Sequence, residues 1–332
     1  MEQPIEFNEA ENIFSISGGK DSVCTVLVGR EKGIENARYI FADTGNEHED
    51  AIAHIDYLQD ALGITIETVK ADFSKQIEHK KEVVRDKWVR DGVVTPAEAE
   101  DLCKLLVPSG NPFLDLCVWK GRFPSRRAQF CTQMLKSVPI QEEIFRPLIN
   151  EGKECISWQG IRADESAKRA NDPMWEERDS QPVTGEQVYQ YYVYRPILHF
   201  TAEQTFEMSK KHGIKNNPLY TKGMNRVGCM PCINVKKGEL RTIAERFPDH
   251  IDRIAEWERL VGQVAKRGNS TFFHAAVDPT IATKDNNLIT TDSHGVHRIV
   301  EWSKTQRGGR YFDWLEEEVQ PNVCASSYGL CE

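Results

Sequence analysis

The first part of the chain alternates short apolar runs with segments whose apolar residues recur at helical spacing. This pattern predicts a strand near 13–16, a helix over 21–30, a strand near 38–42, a helix over 49–62 and a strand near 64–69. Short apolar strands that alternate with helices indicate a parallel α/β sheet. Ligands of such sheets bind beyond the carboxyl ends of the strands, so the loops after these strands are the first candidates for a site.

The pattern changes after the third predicted strand. Residues 74–130 carry apolar residues at helical spacing and then a turn-rich stretch, which favours an inserted helical segment over a further sheet unit. Strand signals return at 155–161 and 191–197. The sheet is therefore expected to continue after the insertion.

The C-terminal part reads as two helical stretches separated at Pro248, followed by a loop-rich segment. We therefore expect an α/β domain over 1–225, with a helical insertion at about 74–130. A smaller helical and loop-rich region that contains cysteines is expected over 226–332.

Composition limits the classes of protein that fit. The chain has 332 residues, 39% of them hydrophobic, and lacks an apolar run long enough for a membrane span, which predicts a cytoplasmic protein. The net charge of −9 argues against a strongly basic nucleic-acid binder, so contact with nucleic acid would need a local patch or a partner protein. Basic runs stand at 122–127 and 307–310, and short runs of this kind are more often solvated surface.

The sequence SGGKDS lies between the first predicted strand and its helix. Glycines let the backbone approach a ligand closely, and amides at a helix N-terminus favour a phosphate. Lys20, Ser17 and Ser22 would add donors, while Asp21 could hold Mg²⁺. The Walker spacing is absent, so a standard P-loop NTPase fits poorly, and the alternative is a simple glycine turn. The candidate nucleotide-binding residues of this loop are Ser17, Gly18, Gly19, Lys20, Asp21 and Ser22.

Two further segments follow predicted strands and reach the same edge of the sheet. The first contains Asp43, Thr44, Gly45 and Glu47. The second is GIRADESAKR over 160–169, whose arginines suit bidentate contacts to phosphate or sulfate. Its alternative interpretation is a capped helix start with surface charges.

Nine cysteines in a chain expected to be cytoplasmic argue against structural disulfides and favour metal ligation or reactive thiols. Cys229 and Cys232 form a C-x-x-C motif that could hold one metal ion or one edge of an iron–sulfur cluster, although thioredoxin-like and zinc sites use this motif too. The candidates for the remaining ligands are Cys131, Cys324 and Cys331. The last two could instead belong to a mobile nucleophilic tail. The other thiols with apolar or helical surroundings, expected in the core, are Cys24, Cys103, Cys117 and Cys155.

Together, SGGKDS, the DTG segment, FCTQMLK, GIRADES and the C-x-x-C motif resemble the phosphoadenosine phosphosulfate reductase family within the N-type ATP pyrophosphatases. The segments NPLY, GCMPCI and YGLCE resemble its prophage branch and are similar to the ATP-pyrophosphatase component of DNA phosphorothioation systems. This resemblance implies a parallel-sheet PP-loop fold over most of the chain. It also implies phosphate contacts from the SGGKDS loop, a nucleotide site lined by the Asp43 segment, and anion contacts. The anion contacts would be Lys136, Arg162 and Arg169, with Gly160 as a further nucleotide-binding residue.

The resemblance also implies the chemistry. Its main expectation is ATP-dependent sulfur transfer, in which ATP and Mg²⁺ adenylylate an acceptor for sulfur insertion, with a [4Fe-4S] cluster, or zinc in its place, on four of the five candidate cysteines. The implied catalytic residues are Lys20, Asp21, Arg162 and Cys331. The best named acceptor is DNA, with a cysteine desulfurase or other sulfur donor and DNA-contacting proteins as partners.

Two alternatives remain open. One is a thioredoxin-dependent reductase of adenylyl sulfate or its 3′-phosphate form, which would use Cys331 as the nucleophile. The other is a non-catalytic nucleotide-binding module with a structural metal. The sequence does not indicate an oligomeric state.

Overall fold

The computed structural model describes residues 3–166, 169–180, 188–274 and 277–306. These residues form two compact units. Among them, unit 1 contains the residues of 3–70 and 132–229, and unit 2 contains those of 71–131 and 230–306.

Helices and strands alternate in unit 1, whereas unit 2 is helical in the part of it that the structure describes. The strands are β1 (Glu11–Ser15), β2 (Ala37–Asp43), β3 (Ile66–Lys70), β4 (Cys155–Trp158), β5 (Trp175–Asp179) and β6 (Gln190–Tyr194). The helices are α1 (Lys20–Glu31), α2 (Glu49–Leu62), α3 (Ser74–Val83), α4 (Pro96–Leu105), α5 (Pro112–Lys120), α6 (Phe130–Thr132), α7 (Val138–Ile140), α8 (Arg146–Asn150), α9 (Ala202–Lys211), α10 (Pro218–Thr221), α11 (Lys237–Arg246), α12 (Pro248–Gln263), α13 (Thr291–His294) and α14 (Val296–Ser303). Two π-helical segments, Gln133–Ser137 and Gln141–Phe145, join α6, α7 and α8 into one helical stretch.

The sheet of unit 1 has the order β3-β2-β1-β4-β6-β5. All neighbouring strands run parallel except the edge strand β5, which pairs antiparallel with β6. In the central register, Ile13 of β1 pairs with both Arg38 of β2 and Ser157 of β4. Because these strands are parallel, the loops that follow β1, β2 and β4 leave the same edge of the sheet.

Both faces of this sheet are buried, as expected for parallel strands covered by helices. One face packs Phe14, Ile156 and Trp158 against residues of α1 and α2, and the indole of Trp158 donates to the Asn12 side chain at 2.9 Å. The opposite face packs Ile13 with residues of the α7 and α8 stretch. Successive side chains of β1 therefore pack on opposite faces of the sheet, with Ile13 on one face and Phe14 on the other.

Unit 2 has an aromatic core. Phe113 of α5 stacks on Trp257 of α12 with ring centroids 5.5 Å apart, and Phe272 packs edge-on against Phe123. The buried ammonium of Lys80 on α3 donates to the carbonyl of Val118 at 2.6 Å. Burial lowers the pKa of Lys80 to about 8.

Most of the predicted elements are confirmed. The structure contains the five predicted elements at the start of the chain, the helical insertion and two helices that meet at Pro248. Strand β4 ends at Trp158, earlier than predicted, because the chain turns there into the loop that contains Gly160 and Arg162. Strand β6 ends at Tyr194, just before Pro196, because proline has no amide hydrogen to donate to a neighbouring strand. Strand β5 was not predicted. Within the described residues, no helix combines the length and the apolarity needed to cross a membrane.

Candidate functional site

The loop after β1, residues 17–22, is held by its own serines. Gly18 has a φ of 76°, a left-handed conformation that glycine adopts without strain. The Ser22 hydroxyl accepts from the Ser17 amide at 3.2 Å and donates to the Gly19 carbonyl at 3.0 Å, and the two serine hydroxyls lie 3.1 Å apart. Helix α1 begins within this segment, at Lys20, with Gly19 as its N-cap. The loop is thus a preformed turn at a helix N-terminus, the arrangement that suits a phosphate.

Charged groups meet beside this loop. Asp21 is completely buried, and its two carboxylate oxygens accept from Arg162 Nε at 2.6 Å and from Lys20 Nζ at 3.1 Å. Arg162 also donates to both oxygens of Asp164, at 2.5 and 2.6 Å. Burial opposes the charge on Arg162, but Asp21 and Asp164 outweigh it and raise the pKa of this guanidinium. The structure therefore brings Lys20 and Asp21, predicted from one segment, together with Arg162, predicted from another.

Gly160 explains how the loop after β4 approaches so closely. A methyl group on Gly160 would lie 2.8 Å from the Asp21 carbonyl oxygen, so only glycine fits against the backbone of the first loop. Beyond it, Arg169 is buried and donates to Glu165, whose carboxylate also accepts from the Arg162 amide at 3.0 Å. In the structure Gly160 contacts protein backbone, and Arg169 supports the turn that carries Arg162.

The segment after β2 forms a second turn at this edge. The Glu47 carboxylate accepts from the Thr44 hydroxyl at 2.6 Å and from the Thr44 amide at 3.1 Å, while Asp43 accepts from the Gly45 amide at 2.8 Å. Burial raises the pKa of Glu47, although the positive charge of Lys136 opposes the shift. The thiol of Cys229 lies 3.6 Å from the Thr44 hydroxyl. The sulfur atom of Cys229 therefore lies at the edge of the sheet where the sequence predicts the nucleotide site.

Lys136, predicted as an anion contact, lies in the π-helical segment Gln133–Ser137 and is 6% exposed. It lines a narrow cavity at the ends of β1 and β2, together with Ser17, Glu47 and Gly228. The cavity thus joins the first loop, the second turn and a buried cation.

Two residues of the site were missed by sequence reasoning. The Tyr220 hydroxyl accepts from the Lys20 amide at 2.9 Å, and the Asn217 side chain donates to the Gly18 carbonyl at 3.4 Å. Both belong to the segment at α10, where Asn217 also caps the helix by accepting from the Leu219 amide. The Asn-Pro pair signals this cap, but nothing local indicates a contact with a loop so distant in sequence.

Comparison with known proteins identifies the family. Residues 11–235 match the family described as phosphoadenosine phosphosulfate reductase domain. The chain belongs to this family. It is 45% identical over 330 residues to an uncharacterized 37.8 kDa protein of Escherichia phage 186, a match that covers 97% of this chain and 96% of the phage protein. This relative is consistent with the prophage branch suggested by the motifs.

Other matches cover less of their partners. Adenosine 5′-phosphosulfate reductase of Streptomyces coelicolor is 35% identical over 118 residues, which are 34% of this chain and 42% of the reductase. The crystal structure of phosphoadenylyl-sulfate reductase from Candida auris, a phosphate complex, is 14% identical with a TM-score of 0.38, covering 67% of this chain and 82% of that one.

The cysteines of this phosphoadenosine phosphosulfate reductase family member fall into two groups. The predicted core thiols are confirmed as buried, and burial raises the pKa of Cys155 to about 12. The candidate ligands Cys131, Cys229 and Cys232 are partly exposed. The other two, Cys324 and Cys331, lie outside the described residues, so the catalytic assignment of Cys331 stays a prediction. A ligand set of four requires at least one of these two.

Proposed function

We propose that the chain is an ATP pyrophosphatase-type sulfurtransferase. It would bind ATP with the phosphates on the 17–22 loop, release pyrophosphate, and adenylylate an acceptor for sulfur insertion. The observation that carries the proposal is the buried cluster of Lys20, Asp21 and Arg162 beside a turn at a helix N-terminus. Such a cluster provides cations for the charge that develops on phosphate oxygens in the transition state.

Within the cluster, the two cations differ in freedom. Lys20 reaches Asp21 at 3.1 Å on a flexible four-carbon stem, whereas the planar guanidinium of Arg162 bonds to both Asp21 and Asp164. We infer that Lys20 turns to the phosphates, while Arg162 stays and balances the buried charge of Asp21. Thr44 and its neighbours would line the rest of the nucleotide site, with Lys136 as a further anion contact.

A magnesium ion fits this donor set if Lys20 moves. Carboxylate oxygens are the ligands that Mg²⁺ prefers, and Lys20 is the contact of Asp21 that could leave most readily. Asp21 would then hold the ion, which supplies charge neutralisation of the phosphates when bound. As long as Lys20 keeps its present position, the two carboxylate oxygens of Asp21 accept hydrogen bonds from Lys20 and Arg162.

The acceptor would be a nucleic acid, with DNA phosphorothioation as the best named case. A cysteine desulfurase or another sulfur donor would supply the sulfur. The partly exposed thiol of Cys229 beside Thr44 supports sulfur chemistry at this edge.

A second candidate is a reductase of adenylyl sulfate or phosphoadenylyl sulfate. The similarity to the Streptomyces adenosine 5′-phosphosulfate reductase favours it. In that case the 17–22 loop would hold a sulfonucleotide, and thioredoxin would regenerate the thiol. A module that binds ATP without splitting it is the remaining alternative.

The test is turnover by anaerobically purified protein. It is incubated with alpha-labelled ATP and, separately, with adenylyl sulfate plus thioredoxin. We expect AMP and pyrophosphate from ATP. Sulfite from adenylyl sulfate would replace the proposal with the reductase, and tight ATP binding without pyrophosphate would leave only the binding module.

A matched pair of variants links the reaction to the loop. Lys20→Met should lower AMP formation by about 100-fold or more, since preorganised charge contributes on that scale. Lys153→Met is the control, because this lysine is also ion-paired, to Glu11 at 3.0 Å, but lies before β4 rather than after it. Equal activity of the two variants would remove Lys20 from the mechanism.

The proposed [4Fe-4S] cluster has its own test. Cys229→Ser should lose the brown colour together with iron and acid-labile sulfide, whereas Cys155→Ser, at a buried core thiol, should keep them. If the purified protein contains zinc instead of iron, the cysteines hold a zinc ion and not an iron–sulfur cluster. Full retention of iron by Cys229→Ser would exclude Cys229 as an essential ligand.

A further inference from the structure

The basic run after α5 forms a tight turn with two arginines at its tip. Ser125 and Ala128 exchange backbone hydrogen bonds of 3.2 and 2.9 Å, which leaves Arg126 and Arg127 as the two central residues. Both arginines are exposed. This turn belongs entirely to unit 2.

The turn is held on a firm base. Phe123 is 6% exposed and packs edge-on against Phe272 with ring centroids 5.4 Å apart. Arg122 lies over the ring of Phe130, 5.6 Å from its centroid, so the two ends of the loop meet. The arginines at the tip are therefore presented by an anchored loop, which reduces the entropy lost when they bind a ligand.

A second basic segment lies against this base. A methyl group on Gly121 would lie 3.5 Å from Ala265 Cα. The Lys80 ammonium donates to Val264 at 2.8 Å as well as to Val118, and so ties the end of α5 to the end of α12. Lys120 at the end of α5 and Lys266 with Arg267 beyond the end of α12 therefore belong to one surface. We call this set the basic surface, and its members are Lys120, Arg122, Arg126, Arg127, Lys266 and Arg267.

The basic surface differs from other cations of unit 2. Among the described residues, none of its six side chains has an acidic partner within ion-pair distance, and all six are exposed. By contrast, exposed Arg85 pairs with Glu100 and exposed Arg259 with Glu256. In a chain of net charge −9, six exposed cations that lie outside ion-pair distance of every described carboxylate form a local patch opposite in sign to the whole.

Helix ends explain only part of this surface. A cation in the last turn of α5, or just beyond the end of α12, is stabilised by the negative end of the helix dipole, which accounts for Lys120 and Lys266. It does not account for Arg126 and Arg127, which lie at the tip of a turn. The positive charges of this surface also affect one another, since partial burial and the charge of Arg122 lower the pKa of the Lys120 ammonium.

We propose that the basic surface binds the phosphate backbone of a nucleic acid. Forked guanidinium groups on an anchored turn fit phosphate oxygens, and an acidic chain that carries one such patch can bind nucleic acid without a basic overall composition. The chain would then contact a nucleic acid itself rather than only through partner proteins. The proposal does not depend on the proposed enzyme activity, since binding is measured without nucleotide.

The test measures binding of short fluorescent duplex DNA by anisotropy, between about 50 and 200 mM salt. Arg126→Ala/Arg127→Ala should weaken binding about tenfold at low salt and reduce the slope of log K against log salt by about 2, since each phosphate contact contributes about 0.9. Arg85→Ala/Arg259→Ala is the matched control, because it removes the same charge from exposed arginines of unit 2 that already have acidic partners. This control should bind like the unchanged chain.

Each other outcome overturns the proposal. Equal loss in both double variants would mean that net charge alone governs binding. Absence of salt-dependent binding by the full chain would remove the surface as a nucleic-acid site, and competition by polyglutamate as effective as by unlabelled DNA would assign it to an acidic protein. Unfolding curves of both double variants, together with Arg126→Gln/Arg127→Gln, keep a folding defect separate from a loss of contact.

Discussion

Replacing Gly160 by alanine tests whether the loop after β4 sets the position of the phosphate loop. The added methyl group would lie 2.8 Å from the carbonyl oxygen of Asp21 and 3.0 Å from the amide nitrogen of Ser22. Both are backbone atoms, so no side chain can turn away. Gly160 does not have the positive φ that would itself disfavour alanine, and the effect is therefore steric.

The magnitude follows from the distances. Ordinary contacts of a methyl carbon begin near 3.4 Å, so the backbone at Asp21 must move by about 0.6 Å. Overpacking of this kind typically costs about 1–3 kcal/mol of unfolding free energy. A displacement near 1 Å at a reacting centre can cost about 100-fold in rate, so we expect kcat/KM to fall by about tenfold or more.

The assay combines urea unfolding with nucleotide turnover. Gly262→Ala in α12 is the control, because its methyl group would meet Ser270 no closer than 3.4 Å and alanine is favoured in a helix. We expect Gly262→Ala to keep both stability and activity. If Gly160→Ala also unfolds at the unchanged urea concentration and turns over at the unchanged rate, the close approach does not position the loop.

Three other changes have defined outcomes. Asp21→Asn removes a buried charge between two cations and should cost about 3 kcal/mol in urea unfolding, together with turnover; an unchanged midpoint would mean that the pairing adds no stability. Burial lowers the pKa of His54 to about 4. The unfolded chain therefore binds a proton at this histidine before the folded chain does, and stability should fall as the pH drops from about 6.5 to 4. His54→Gln should flatten this slope in thermal unfolding at different pH values, and an unaltered slope would contradict the assignment. Lys80→Met leaves two carbonyls without their donor and should cost about 1–3 kcal/mol, whereas equal stability would mean that other groups satisfy them.

Local pattern was sufficient to predict the elements of the sheet that begin the chain. The predicted helix over 49–62 coincides with α2, and the strand near 38–42 lies within β2, because both segments bury a continuous apolar face. Strand β5 was not predicted because its sequence, WEERD, is mostly polar and lies at the sheet edge, where only Trp175 is buried. Its pairing with β6 comes from tertiary contact rather than from propensity.

The sequence indicates which site residues follow the ends of strands. It does not indicate which residues reach the site from segments distant in sequence. Parallel topology alone indicates that Asp21 and Arg162 reach one edge, although it does not give their 2.6 Å contact. Tyr220 reaches the Lys20 amide from α10, far along the chain, and no periodicity records such a contact. Gly160 was assigned to a ligand, whereas the structure adds a steric role against the first loop.

The pairing of Lys20 with Asp21 has a physical consequence for the proposed reaction. Without the Asp21 carboxylate, Lys20 of the first loop and Arg162 of the loop after β4 would bind many anions, including free phosphate and sulfate. Because the Asp21 carboxylate already accepts from both cations, an incoming anion must replace a contact at 3.1 Å before Lys20 becomes available. Only a ligand that brings further contacts, such as a nucleotide reaching Thr44 and Lys136, offsets that cost. On the proposed function, Asp21 therefore weakens binding of every anion equally, which leaves isolated phosphate or sulfate bound too weakly to occupy the loop while a nucleotide with its further contacts still binds.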